Sequence, residues 1–262
     1  MEDLTHDQRV AREKKLIEHE ESDFEKELSY PVRKSNDMIQ KSRYSLSLRE
    51  QRLLLYIISK IKTDDTGKER YKVSFKDAVK ICGASDKGGL AYNIVFEAFA
   101  TLRDKGFTIY TKKGRVQCAF IEHPEQDGDG NIEYNFDPYV VPYLFQVKKR
   151  FTQYDLGIAI RMKSTYGIRL YELLKSYSNL KTKRFSLDEL RELLDADTAS
   201  YKKNYGLFKK YVLEPALKDI EYSDLRVSYI EIKEGRKVIA VDFVISQDVL
   251  AYYERGLLDS GK

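Results

Sequence analysis

Six polar side chains crowd one short stretch of this chain: Lys202, Lys203, Asn204, Tyr205, Lys209 and Lys210. An amide such as Asn204 bonds adenine through N6 and N7, an ammonium reaches guanine O6 or N7, and a tyrosine ring packs on a sugar or a thymine methyl. Two further basic groups flank the stretch. Lys181, Lys183 and Arg184 precede it, and Arg236 and Lys237 follow in the turn Glu234-Gly235-Arg236-Lys237. Cations on either side of a base-reading segment are expected to hold phosphates. A thinner version occurs earlier, with Lys87 and Asn93 ahead of Lys112, Lys113 and Arg115 around the turn at Gly114. Glu97 and many apolar residues accompany this earlier set. It is expected to bind DNA less strongly, or to serve partly in dimerisation.

Other chemistries find little support. No G-x-x-x-x-G-K-[ST] motif is present to cradle a nucleotide phosphate. His6, His19 and His123 are scattered, and Cys82 and Cys118 lie far apart, so a zinc site is not expected. A rolling-circle endonuclease would need a histidine pair beside a nucleophilic tyrosine; tyrosines are abundant and the pair is missing. The run Asp127-Gly128-Asp129-Gly130-Asn131 resembles the start of a calcium loop. Ile132 and Pro138 stand where that loop needs glycine and glutamate, so a hairpin turn is expected instead. The reading is of a non-enzyme without metal or cofactor.

The elements needed to position these residues occur twice. Residues 75–120 read as helix, turn, long helix and hairpin, and residues 187–245 read the same way. The long helices end alike, at Leu102-Arg103-Asp104 and Leu217-Lys218-Asp219, and the hairpins turn at Lys113-Gly114-Arg115 and at Gly235. The second long helix is expected over 204–220, bent or loosened by Pro215. Capping boxes at Ser47 to Glu50 and Ser186 to Glu189 start earlier helices, and another helix is expected over 156–180. A helix pair followed by a basic hairpin is the outline of a winged helix, which lays one helix in the major groove. The fold class is therefore α+β, with two tandem winged-helix domains, each a helical bundle with a β-hairpin wing.

Charge follows the same division. Residues 1–30 carry ten acidic and five basic side chains, a net of −5 within a chain of net +4, so the remainder is +9. A basic body behind an acidic segment fits a polyanion binder. The expected organisation is an acidic tail at 1–30, a first winged-helix domain at 31–145 for dimerisation and DNA contact, a linker at 146–155, a second domain at 156–250 as the main DNA reader, and a tail at 251–262. Both cysteines sit in apolar patterns, so buried thiols are expected rather than a disulfide. No apolar run is long enough to span a membrane and no signal core opens the chain, so a cytoplasmic protein is expected.

Three segments carry a resemblance. Asn36-Asp37-Met38-Ile39, Tyr44-Ser45-Leu46 and Glu50-Gln51-Arg52-Leu53-Leu54-Leu55 make the first, Tyr166-Gly167-Ile168-Arg169-Leu170-Tyr171-Glu172-Leu173-Leu174 the second, and Phe208 through Leu213-Glu214-Pro215-Ala216 to Ile220-Glu221 the third. Together they resemble the iteron-binding replication initiators of theta-replicating bacterial plasmids, over about residues 32–246. The resemblance implies two winged-helix domains that both touch an origin repeat, a monomer that opens the origin, and a homodimer that represses its own gene. It also implies recruitment of the host replication initiator and the replicative helicase, and no catalytic site. On this chain the strongest base reader would be the helix beginning near Asn204. Arg169 would be structural, making an internal ion pair. A winged-helix transcriptional regulator is the plainer alternative.

Overall fold

Ser47 starts the central helix of the first module by a reciprocal cap. Its backbone N–H donates to Glu50 Oε2 at 2.7 Å, and its Oγ accepts from the Glu50 N–H at 3.4 Å. The helix behind it, α3 (Leu48–Ser59), buries Leu53 to Ile58 without a break, so it stands inside the module with apolar neighbours on nearly every side. In this computed structural model, residues 23–84, 90–145 and 147–247 are described. Lys87 and the expected tail at 251–262 lie outside them, as do residues 1–22 of the acidic segment.

Around α3 the first module places α1 (residues 23–28), β1 (Pro31–Ser35), α2 (Asn36–Lys41), β2 (Ser42–Arg43), β3 (Tyr71–Ser74), α4 (Phe75–Cys82) and α5 (Leu90–Asp104). Strands β4 (Phe107–Thr111), β5 (Gly114–Cys118), β6 (Ile121–Gln126) and β7 (Asn131–Phe136) follow, then the short helix α6 (Val141–Leu144). They make two separate sheets, β2-β4-β5 and β3-β7-β6. Helix α8 (Thr165–Lys175) leads to the second module, which has β9 (Thr182–Ser186), α9 (Leu187–Leu193), α10 (Ala199–Lys203), α11 (Tyr205–Phe208), a π turn (Lys209–Leu213) and α12 (Glu214–Ile220). Its wing is β10 (Leu225–Glu234) and β11 (Lys237–Gln247), and its sheet runs β10-β11-β9.

The duplication is real, but the sequence pairs the wrong hairpins. In the second module the strand ahead of the helix pair, β9, joins the last strand of the wing, β11. The first-module strand with that role is β3, which joins β7. The wing of the first module is therefore β6–β7, turning at 127–131, and not the basic hairpin β4–β5. The latter pairs with β2, at Ser42↔Ile109 and Arg43↔Thr108, as an extra sheet. Two hairpins in succession offer two candidate wings, and only the partner strand tells them apart.

The two modules share one core. Of the expected linker, residues 151–155 form β8 (Phe151–Asp155), which pairs antiparallel with β1 from Pro31↔Asp155 to Ser35↔Phe151. Lys34 on β1 lies 2.5 Å from Glu172 on α8, both fully buried, and the Tyr154 hydroxyl on β8 donates to the same carboxylate at 2.5 Å. A buried pair of this kind makes loss of one partner costly, because the other charge is left without compensation. The helix expected over 156–180 is two: α7 (Leu156–Ile160), then α8, restarted by the Ser164 cap. Arg169 is buried as expected, but its partners are neutral: the Tyr44 hydroxyl and the Ser42 and Leu193 carbonyls.

The joint closes where α8 meets α12. Asp219 Oδ2 accepts the N–H groups of Lys163 (3.1 Å) and Ser164 (2.8 Å), tying the turn that leads into α8 to the other helix. Burial raises the Asp219 pKa, and these two hydrogen bonds oppose that shift. Gly167 permits the approach, since a Cβ there would sit 2.8 Å from Asp219 Cβ.

The acidic segment is likewise not all solvated. Phe24 and Leu28 pack on the core, the Lys80 ammonium lies 4.7 Å over the Phe24 ring, and Glu27 accepts from the Tyr56 hydroxyl at 2.9 Å and pairs with Lys60. Cys82 and Cys118 are free and buried, and burial pushes their thiols up to about 12 and about 11.

Candidate nucleic-acid interface

Asn204 separates α10 from α11. Its backbone is extended, and its Oδ1 accepts the Leu207 N–H at 3.2 Å as an N-cap. That bond engages the oxygen a bidentate adenine contact requires, leaving the side-chain amide N–H groups as the outward donors. Lys202, Lys203 and Lys210 are exposed around it, with Lys202 paired to Asp197 at 2.8 Å and Lys210 5.1 Å over the exposed Tyr211 ring. Leu207 and Tyr211, neither singled out from the sequence, are exposed on the same helix and offer apolar contact to a groove. Their spacing, i and i+4, was the available signal.

Pro215 acts as expected. It has no N–H to return to Tyr211, and the ladder ahead of it widens to i→i+5, with the Glu214 N–H donating to the Lys209 carbonyl. The apolar set Phe208, Val212, Leu213, Ala216 and Ile220 is buried beneath.

The wing turns at Gly235, in the left-handed region at φ 58°, and Arg236 and Lys237 stand exposed at its tip. Between this tip and α10 lies an open cleft of about 330 Å³ lined by Lys202, Lys203, Arg236 and Lys237, with Arg191 and Asp188 at one wall. Arg191 is buried, reaches Asp188 at 3.1 Å and stacks 5.3 Å over Phe208. Sequence reasoning missed it. Its place two residues before the end of a capped helix carried no mark of its position beside the cations.

Other expected residues fall elsewhere. Lys209 is half-buried and faces the wing, where its ammonium lies 2.8 Å from Glu231; Tyr205 also bonds Glu231, at 3.0 Å. Thr182 pairs with Val244, which puts Lys181, Lys183 and Arg184 roughly 20–25 Å along the sheet from the wing tip. Lys183 lies 4.6 Å over the Tyr177 ring, and Arg184 is 2.8 Å from Asp242. These three stand away from the wing tip, on the strand across β11 from β10, with Arg184 one register step from the level of Glu231.

In the first module Asn93 is exposed on α5, beside exposed Leu90, Tyr92 and Phe96. Lys112, Lys113 and Arg115 are exposed on the β4–β5 turn, on the sheet that is not the wing. The wing itself turns through Asp127, whose Oδ1 accepts from the backbone N–H groups of Asp129 (2.9 Å) and Asn131 (2.8 Å), while Oδ2 pairs with Lys72 at 2.6 Å. The Lys72 hydrogen bond leads in holding this carboxyl far below the usual range. Among the described residues, no three His, Cys, Asp or Glu side chains gather as a metal site, and no helix is long and apolar enough to cross a membrane.

Residues 31–175 match the family described as "Initiator Replication protein, WH1", and residues 186–245 the one described as "Initiator Rep protein, WH2". The PI protein of Escherichia coli is 30% identical over 66% of this chain and 63% of its own length, so the chain spans under two thirds of that relative. A replication initiation protein of Escherichia coli is 28% identical over 79% of this chain and 67% of its own. The fold is that of a structure described as Pi initiator protein in complex with iteron DNA, at a TM-score of 0.66 and 22% identity, covering 84% of this chain and 98% of that one.

Proposed function

The chain belongs to the initiator replication protein family, and on that premise we propose that it is a plasmid replication initiator which binds repeats in its origin sequence-specifically and opens the adjacent duplex. The observation that carries this reading is the second module's cleft, where cations from α10 and the wing tip line one open groove. The N-terminal turns of α11 enter the major groove, Lys210 and the Asn204 amide approach base edges, and Arg236 and Lys237 follow the wing to the neighbouring phosphates. The first module engages the repeat through α5 with fewer charges. The protein acts without a catalytic centre: binding energy alone biases an A·T-rich tract toward the open state.

We propose three further properties, which the resemblance implies. A homodimer binds an inverted repeat and represses the gene, the host initiator is recruited, and so is the replicative helicase. Permanganate footprinting on supercoiled origin DNA tests the central reading. Added thymine reactivity beside protected repeats is the expected result. Protection without added reactivity would make the protein a regulator that leaves the strands paired, and metal-dependent nicking would make it an endonuclease.

A further inference from the structure

Glu231 is a carboxylate on the inner face of the wing, in the half of the second module that faces DNA on the proposed function. An acid there repels phosphate unless something else explains it. Its register partner is Val241, so it shares the inner face with Tyr229 and Phe243, while its neighbour Ile230 points outward and is 61% exposed. Glu231 Oε1 accepts two bonds from the reading helix, the Tyr205 hydroxyl at 3.0 Å and the Lys209 ammonium at 2.8 Å. The Lys209 ammonium also lies 5.8 Å from the centre of the Tyr229 ring on the same strand. Just beyond, the β10–β11 register shifts between Ile232 and Lys233, so a bulge interrupts the pairing before its last two pairs.

We propose that Glu231 is a positioning residue which locks the wing to the reading helix and so fixes the spacing between the groove-bound helix and the phosphates the wing touches. Tyr205 and Lys209, which the sequence assigned to DNA, are the helix side of this lock. Lys209 neutralises the carboxylate, so the pair presents no net charge to the duplex. The π turn begins at Lys209, where the helix is already widened. The lock holds Tyr205 on α11 and Lys209 at the first residue of that loosened turn.

The test compares Glu231→Ala, Glu231→Gln, Lys209→Met and their double variant with the wild-type chain on a duplex carrying one origin repeat. Glu231→Ala is expected to weaken binding about tenfold, in the range of a charge-assisted bond, with the slope of log K against log salt unchanged. Hydroxyl-radical protection under the wing should fade while protection under the helix persists. Lys209→Met should behave the same, and the double variant should be no worse than either single one. Glu231→Gln, which keeps an acceptor, should recover most of the loss. Unchanged or tighter binding by Glu231→Ala overturns the proposal, as does a salt slope about one unit smaller for Lys209→Met, which would place that ammonium on phosphate. Amide exchange of β10 in the free protein reads the lock without DNA: faster exchange in Glu231→Ala is expected, and equal exchange contradicts it. Should the wild type give no footprint, the DNA reading fails by itself, and this exchange arm still decides the lock.

Discussion

The two wings have one topology and opposite chemistry. Each joins the strand ahead of its helix pair through the last strand of the hairpin, β7 to β3 and β11 to β9. The first wing turns on Asp127, folded inward around its own backbone N–H groups and held by Lys72. The second turns on Gly235 and presents Arg236 and Lys237 to solvent beside Lys202 and Lys203. The reading helices differ in the same sense, with α5 exposing Leu90, Tyr92 and Phe96 where the second module exposes lysines. A repeated fold therefore repeats a shape, and each copy's electrostatics decide what it grips. The second module gathers exposed cations, while the first offers a mostly apolar face and an acidic wing.

That contrast can be broken from several directions. The largest effect is expected from Lys34→Met, which strands the Glu172 charge in the shared core and should cost about 3–5 kcal/mol in chemical denaturation. A single transition for the variant means both modules depend on this joint; two transitions would separate them and make each wing measurable alone. Gly167→Ala pushes α8 off Asp219 and should cost about 1–3 kcal/mol by the same assay. Stability equal to wild type would mean the α8–α12 approach has slack that the geometry does not suggest.

Next come the charges themselves. Replacing Lys203, Arg236 and Lys237 together by alanine should lower the salt slope of repeat binding by about three units if each touches one phosphate. Replacing Lys112, Lys113 and Arg115 together should lower it by about one unit or less. Equal losses would erase the contrast, and fluorescence anisotropy across a salt series measures both. Asp127→Asn with Asp129→Asn makes the first wing less acidic and should tighten binding about twofold at low salt; no change would place that wing away from DNA.

The smallest effect is one of pH. Glu231 titrates below the usual glutamate value, chiefly because Lys209 bonds it. Its stabilising contribution is thus present above the unfolded value near 4.3 and lost only as pH falls through the lower folded value. Binding measured from pH 5 to 8 should show no step from this group. A step in that range that vanishes in Glu231→Gln would mean the lock is looser than the hydrogen bonds indicate.

Local chemistry was legible in the residues themselves. The caps at Ser47 and Ser186, the Pro215 disturbance, the buried thiols, the Gly235 turn and the exposed Lys202, Lys203 and Lys210 follow from side-chain preferences that act within a few residues. So did the duplication and its family, since helical and strand periods survive in one dimension. What only tertiary structure decided was partnership. Whether a hairpin is a wing depends on the strand it joins, which made β6–β7 the wing and β4–β5 an addition. Whether a lysine meets DNA depends on what lies across from it, and Glu231, arriving from β10, took Lys209 inward. Lys181, Lys183 and Arg184 stand away from the wing tip, on a strand whose register no local pattern records. Asp219 holds the start of α8 from more than fifty residues away in the chain. Long-range pairing selects among sites that local preference leaves equivalent, because the free energy that separates them comes from groups distant in the chain.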